Sequence, residues 1–248
     1  MASLLEEFEI HSLSKPLLTI AGHPITFTNS SLFMFLAIGT VTALMVLSMR
    51  PQAVIPGRWQ MLTETLYNTI SDMLAQTSGE HSKPFFPFIF SVFVFILFCN
   101  LFGMLPHSLA VTSHILINLT IALVLFAMII VTGFFRHGLH FLHLFVPPGA
   151  PWYMVPFLAV LELFSFAVRP FSLSIRLFAN MLAGHILLGV FAGMSAMLLT
   201  AGWLAGLSIL PLALNVAITG FEFFVAFLQA YIYAVLASVY LRDALEMH

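Results

Sequence analysis

Charge is what this sequence has least of. Lys, Arg, Asp and Glu together make up 7% of its 248 residues, against about 25% in soluble domains. That shortage excludes an ordinary water-soluble fold and leaves no basic face for nucleic acid. A net charge of −2 adds nothing about partners. Cysteine is nearly absent too. Cys99 alone can form neither an intrachain disulfide nor a cysteine metal site, and its apolar surroundings mark it as a small core residue. A basic leader is also missing: Met1-Ala-Ser-Leu-Leu-Glu-Glu-Phe-Glu is acidic and no cleavage pattern follows, so the N-terminus is expected to stay on the mature chain. No transporter-type internal repeat is visible.

What fills the space is apolar. Hydrophobic residues make up 61% of the chain and the mean hydropathy is +1.06, which describes an integral membrane protein. The expected fold is all-α and polytopic, a single membrane domain over 1–248. Residues 1–30 form an outer segment with an N-cap region at Asn29-Ser30-Ser31. Three steep spans lie within 31–135: Leu32 to Met49, Phe85 to Leu105 and Ile115 to Phe135. Arg50, Arg58, Lys83 and Arg136 fall on one side of these spans, which marks that side as inner and the N-terminus as outer.

Between the first two spans, 59–77 alternates polar and apolar residues at helical spacing. Leu62, Leu66, Ile70 and Leu74 share a face, and Glu64, Asn68 and Asp72 share another. This predicts an amphipathic helix on the inner surface, with a plain solvated linker helix as the alternative. The inner loop 136–151 carries His137, His140 and His143. On a helix these do not converge, so a polar loop is expected rather than a metal site. His107 and His114 flank the outer turn as solvated loop residues or as the lining of an outer water path.

The last region, 152–241, reads as a hairpin of two long, strongly tilted helices. Its arms run from Pro156 to about Thr200 and from Pro211 to Leu241, with Gly202 and Gly206 at the turn. Each arm is longer than the roughly 30 Å hydrocarbon layer requires, and strong tilt removes the mismatch. Pro170 is expected to break or kink the first arm.

Both arms carry polar stripes. Glu162, Arg169 and Arg176 are spaced by seven and seven, with Asn180 one turn further. Asn215, Glu222 and Gln229 repeat that spacing, with Thr219 and Tyr233 on adjacent turns. Seven residues return a helix nearly to the same face. A charge at membrane depth costs about 2.5–3.5 kcal/mol on insertion scales, so such residues mark function. Asn215, Thr219 and Gln229 have a plainer reading as interhelical hydrogen bonders. Arginine stays protonated, so Arg176 acts as a fixed cation. Glu162, Glu222 and His185 can take up and release protons and are relay candidates. By topology Glu162 lies near the inner start of its helix, with His185 and Glu222 toward the outer side. Titratable groups on both sides of a fixed cation suggest two partial water paths that do not join. An internal Arg176–Glu222 pair would also balance charge, so no external carboxylate is required.

Three stretches then match a known pattern: Ser172-Leu-Ser-Ile-Arg176-Leu-Phe-Ala-Asn180-Met-Leu-Ala-Gly-His185, Phe221-Glu222-Phe-Phe-Val-Ala-Phe-Leu-Gln229-Ala-Tyr, and Asn100-Leu-Phe-Gly-Met-Leu-Pro106. Over nearly its whole length the chain resembles subunit a of the F-type ATP synthase. The resemblance implies a non-catalytic stator protein of a rotary motor, working with a ring of c subunits, peripheral-stalk b subunits and the rest of the complex. It implies that Arg176 faces the ring's carboxylates and separates two half-channels. Asn180, His185, Glu222 and Gln229 match positions around the outer half-channel, and Glu162 matches one associated with the inner. The family and the relay histidine favour H⁺ over Na⁺. No role transfers to Arg169, and no cofactor is implied. The expected location is the bacterial inner membrane, with the mitochondrial inner membrane as alternative. A self-contained ion channel or proton-coupled transporter is the rival function, and a histidine metalloenzyme the more distant one.

Overall fold

The structure is a computed structural model that describes residues 18–20, 23–26, 28–49, 57–104, 112, 114–138 and 153–245. Expectations for residues 1–17, Arg50, His107, His140 and His143 lie outside the described residues. The fold is all-α and polytopic, with a short antiparallel hairpin ahead of the first helix. In it β1 (Leu18–Ile20) pairs with β2 (His23–Ile25), Leu18 opposite Ile25. Six α-helices follow: α1 (Asn29–Met49), α2 (Arg58–Ser78), α3 (Phe86–Gly103), α4 (Ile115–His137), α5 (Val155–Thr200) and α6 (Ile209–Leu245). Among the described residues five helical stretches are long and apolar enough to cross a membrane; α2 is the helix left out. The four earlier boundaries and the 202–208 turn fall within a few residues of the hydropathy reading.

Local chemistry sets several ends. Helix α1 is capped from Thr28 and not from within 29–31: its Oγ1 accepts from the Ser31 N–H at 3.4 Å, and its carbonyl accepts from Leu32 N–H at 3.1 Å. The 29–31 cluster is polar, but the cap must lie one residue outside the helix for its oxygen to reach the orphan donors. Helix α2 stops at Gly79, whose φ of 65° a side chain would strain and whose N–H bonds the Ala75 carbonyl at 3.2 Å. Gly202, with φ +64°, opens the 3₁₀ turn Gly202–Ser208 between α5 and α6.

Pro170 does not break α5, one of the two outcomes the sequence suggested for it. The helix is continuous for 46 residues with the proline inside it. In an apolar setting the backbone finds no water to replace its intrahelical bonds, so one lost bond is tolerated and the helix persists. At about 1.5 Å per residue α5 is ~69 Å long and α6 ~56 Å.

The chain forms two compact units, one from residues 1–43, 95–114 and 177–230, the other from 44–94, 115–176 and 231–248. In the first, Leu177 and Met181 of α5, Ala226 and Ala230 of α6 and Ile96 and Cys99 of α3 are buried. Asn100 Nδ2 donates to the Ala226 carbonyl at 3.3 Å, and Ser195 Oγ donates to the Ser208 carbonyl at 3.3 Å. In the second, Ala234, Ala237 and Ser238 give α6 a narrow, buried face that permits close helix approach. Ser78 Oγ donates to the Ser238 carbonyl at 2.8 Å, tying α2 to α6. Ser174 Oγ reaches the Ile115 carbonyl at 3.2 Å, tying α5 to α4.

The amphipathic α2 exists, and its expected apolar stripe is buried only in part: Ile70 and Leu74 are buried and Leu66 is half-buried. Leu62 is 45% exposed, and the buried residues are Thr63, Ile70, Met73, Leu74 and Ser78. Hydroxyls take the place of leucines because they bond neighbouring segments: Thr63 meets Ser48 at 2.7 Å, and Ser78 meets Ser238. In apolar surroundings such bonds fix partners that greasy contacts alone do not select.

Candidate functional site

Polar side chains gather at two places, each within one unit. In the unit containing residues 115–176 and 231–248, a cavity of about 610 Å³ is lined by Ser165, Arg169, Ser172 and Arg176 of α5 and by Tyr231 and Tyr240 of α6, among others. Arg169 is half-buried. Its guanidinium sits 4.9 Å from the Tyr240 ring centre and 5.5 Å from that of Phe166, at cation–π distance. Its Nη2 donates to Glu162 Oε1 at 3.3 Å. Glu162 and Arg169, two turns apart, therefore do share a face.

Arg176 continues that face and behaves differently. It is exposed and forms no ion pair or hydrogen bond among the described residues, and Asn180, one turn on, is exposed as well. Around them α5 presents large apolar side chains outward: Phe164 is 68% exposed and Ile175 51%. Arg176 thus stands as an exposed guanidinium among exposed apolar side chains.

In the unit containing 177–230, the second cluster centres on Glu222. The carboxylate is half-buried, its Oε1 accepts no hydrogen bond among the described residues, and it lies over Gly184. A Cβ added at 184 would stand 2.8 Å from Glu222 Cδ and overlap Oε1. His185, half-buried, follows Gly184 directly. Gln229, two turns beyond Glu222, is buried. Asn215 Oδ1 is buried with no hydrogen-bond partner among the described residues, while Thr219 Oγ1 turns back to the Asn215 carbonyl at 2.9 Å. His114 Nε2 is also buried without a hydrogen-bond partner among the described residues, and burial holds its pKa below the ordinary histidine range. In the other unit Tyr233 is buried with its hydroxyl 3.5 Å from the Asn118 carbonyl. His137, from the inner loop cluster, lies with Nε2 3.3 Å from the Leu245 carbonyl. No group of three or more His, Cys, Asp or Glu side chains converges among the described residues.

Two participants escaped sequence reasoning. Gly184 carries no side chain to signal a role; its only mark is smallness beside His185. Tyr240 stands outside the α6 stripe and meets Arg169 only in three dimensions. Gly184→Ala is expected to push the Glu222 carboxylate aside and leave the helices in place, because the clash is with the tip of a flexible side chain. If Glu222 relays protons as the resemblance implies, flux should fall several-fold at normal assembly, measured by ATP-driven acidification of membrane vesicles against the amount of assembled complex. Unchanged flux would show that the carboxylate's seat is immaterial.

A sequence profile of the family described as ATP synthase A chain matches residues 31–242. The chain belongs to that family. Among similar proteins, ATP synthase subunit a of Methylobacterium sp. (strain 4-46) is 48% identical over 245 residues, covering 98% of this chain and 96% of its own. The subunit a of Pelagibacter ubique (strain HTCC1062) is 42% identical over 98% of both chains. That of Acidiphilium cryptum (strain JF-5) is 48% identical over 92% of this chain and 91% of its own. Membership and five apolar helices together make this a multi-pass membrane subunit of an ATP synthase, tied to proton transport and ATP synthesis.

Proposed function

We propose that this chain is the proton-conducting stator of a rotary ATP synthase, set against a rotating ring of c subunits in a bacterial inner membrane. It performs no bond chemistry itself. The observation that carries this reading is Arg176: an exposed guanidinium without an ion pair among the described residues, on a membrane helix with exposed apolar side chains on either side of it. A bare cation in lipid is costly, and an ionised carboxylate delivered by a partner offsets that cost.

In this scheme protons enter from the outer phase along the Glu222 cluster. His185, Asn180, Asn215 and Gln229 hold or orient water there, with His114 further out, and Glu222 passes protons to a ring carboxylate. The ring carries the neutralised acid through lipid. On return the acid meets Arg176, whose fixed charge favours the carboxylate over the acid and so drives release of the proton. The proton leaves through the cavity beside Arg176 and past Glu162. Because arginine does not give up its own proton, the two paths exchange protons only through the moving ring. Thr219 and Tyr233 support the geometry of α6 in this scheme, and peripheral-stalk b subunits hold the stator against the torque.

Cysteine cross-linking tests the partner. In a Cys99→Ser background, Ile175→Cys and Ala179→Cys should each form a disulfide with a cysteine placed beside the ring carboxylate. Val124→Cys, 60% exposed on α4, should not. Failure of both α5 positions under oxidation would remove the ring from the proposed face.

A further inference from the structure

The cavity beside Arg176 has an unusual charge lining. Two guanidiniums, Arg169 and Arg176, stand in its wall and no carboxylate does. The nearest acid on α5, Glu162, is engaged by Arg169 at 3.3 Å. On α6, Asp243 is in electrostatic range of Arg169, Arg242 and Glu162, and Tyr240 of Arg169, Arg176 and Asp243. Arg242 is turned elsewhere, with Nη1 3.5 Å from the Thr77 carbonyl. The volume of about 610 Å³ would hold roughly 20 waters at about 30 Å³ each. A hydrated metal ion would fit by size. Charge decides whether it enters.

We propose that Arg169 is a specificity-determining residue of the inner path: clamped by Glu162, Phe166 and Tyr240, it keeps metal cations out of the cavity while leaving proton transfer open. This rests on the reading of the cavity as that path. A sodium or potassium ion must occupy the water in person, shedding part of its shell for oxygen ligands. Here it meets two fixed cations; Glu162 is already paired, and Asp243 lies within electrostatic range of Arg169. Rings of like charge select against ions of their own sign in this way. A proton need not occupy the cavity as a cation. It passes along water by exchange of bonds, and arrival of a hydroxide from the inner phase removes it equally well. Hydroxide is drawn by the same guanidiniums that repel sodium.

The clamp also explains why a cation is held at this position at all. Arg169 is half-buried and its plane is fixed by two rings and a carboxylate, so its charge stays at the cavity wall and does not swing to solvent. Without it, Glu162 becomes an unpaired carboxylate beside a water-filled space, the ordinary composition of a sodium site.

The test uses the whole ATP synthase in liposomes and reads ATP-driven proton pumping with 0 or about 200 mM Na⁺ on the inner-phase side, choline holding ionic strength constant. The intact complex should pump equally in both. Arg169→Gln should pump, at a reduced rate, without sodium and lose a further three-fold or more with it. Arg169→Gln combined with Glu162→Gln should lose that sodium sensitivity, since the carboxylate that holds the ion is gone. A merely structural role for Arg169 would lower both rates alike. If Arg169→Gln fails to assemble, Tyr240→Leu keeps both charges but loosens the clamp, and about two-fold sodium inhibition is expected. Equal rates with and without sodium in whichever variant assembles would overturn the proposal. Arg176→Ala in the same liposomes separates the two readings. Its loss of pumping alongside a sodium-insensitive Arg169→Gln defeats only the cation filter; normal pumping by Arg176→Ala defeats the stator reading itself.

Discussion

Arg176→Ala in the assembled complex is expected to abolish proton-driven ATP synthesis, with a loss of at least 100-fold. The reasoning is electrostatic and does not depend on how tightly the helices pack. Arg176 is exposed, so its removal leaves no cavity in the core. It is part of no ion pair among the described residues, so no partner within the described chain is orphaned. Folding and assembly should therefore survive, and what disappears is the exposed fixed charge proposed to keep the two paths apart. The measurement is ATP formation by inverted membrane vesicles under an imposed pH gradient and potential, normalised to assembled complex. Normal coupled synthesis would end the account.

The second large effect is expected at Glu222. Glu222→Gln keeps the shape of the side chain and its seat over Gly184 but cannot take up and release a proton. Flux through the outer path should fall by about ten-fold or more, in synthesis and in ATP-driven pumping alike, with assembly intact. The amide should also be better tolerated structurally than the acid, because the buried Oε1 has no hydrogen-bond donor among the described residues and an unpaired buried charge is the costlier burden. A variant that pumped at the normal rate would remove Glu222 from the relay and leave it a packing residue. Comparison with Gly184→Ala separates the two parts of the claim, the proton-carrying group and its placement.

Periodicity and hydropathy made most of the fold legible. Charges are so few that each apolar run stands out, and the spans are set by bilayer thickness rather than by subtle packing. The sevenfold spacing of Glu162 and Arg169 led directly to a real contact. What the sequence left hidden has physical reasons. Buried hydroxyls on α2 resemble surface residues on any hydropathy scale, yet Thr63 and Ser78 are buried because they bond across to Ser48 and Ser238. Pro170 reads as a helix breaker by the rules of water, and it sits inside a helix whose apolar setting offers its backbone no alternative. Gly184 matters through the atoms it lacks. Arg169 gains its meaning from Tyr240, 71 positions further along the chain, which no local pattern connects to it.

The same spacing that joined Glu162, Arg169 and Arg176 also concealed a difference among them. The first two neutralise each other; the third has no counter-charge among the described residues and is exposed. That contrast, more than the presence of three charges, is what points outward to a carboxylate on a moving partner. It also explains why a membrane helix would keep an arginine that no ion pair among the described residues requires.

The central claim is that Arg176 keeps two proton paths from joining while the ring carries protons past it. The most direct measurement is passive proton flux through membrane vesicles stripped of the catalytic sector, compared between the intact chain and Arg176→Ala. The account predicts that the variant still conducts protons down a potassium-diffusion potential, at a rate comparable to or above that of the intact chain, although it makes no ATP when the catalytic sector is restored. Passive flux that vanished together with synthesis would contradict it, because Arg176 would then be part of the path and not the barrier within it.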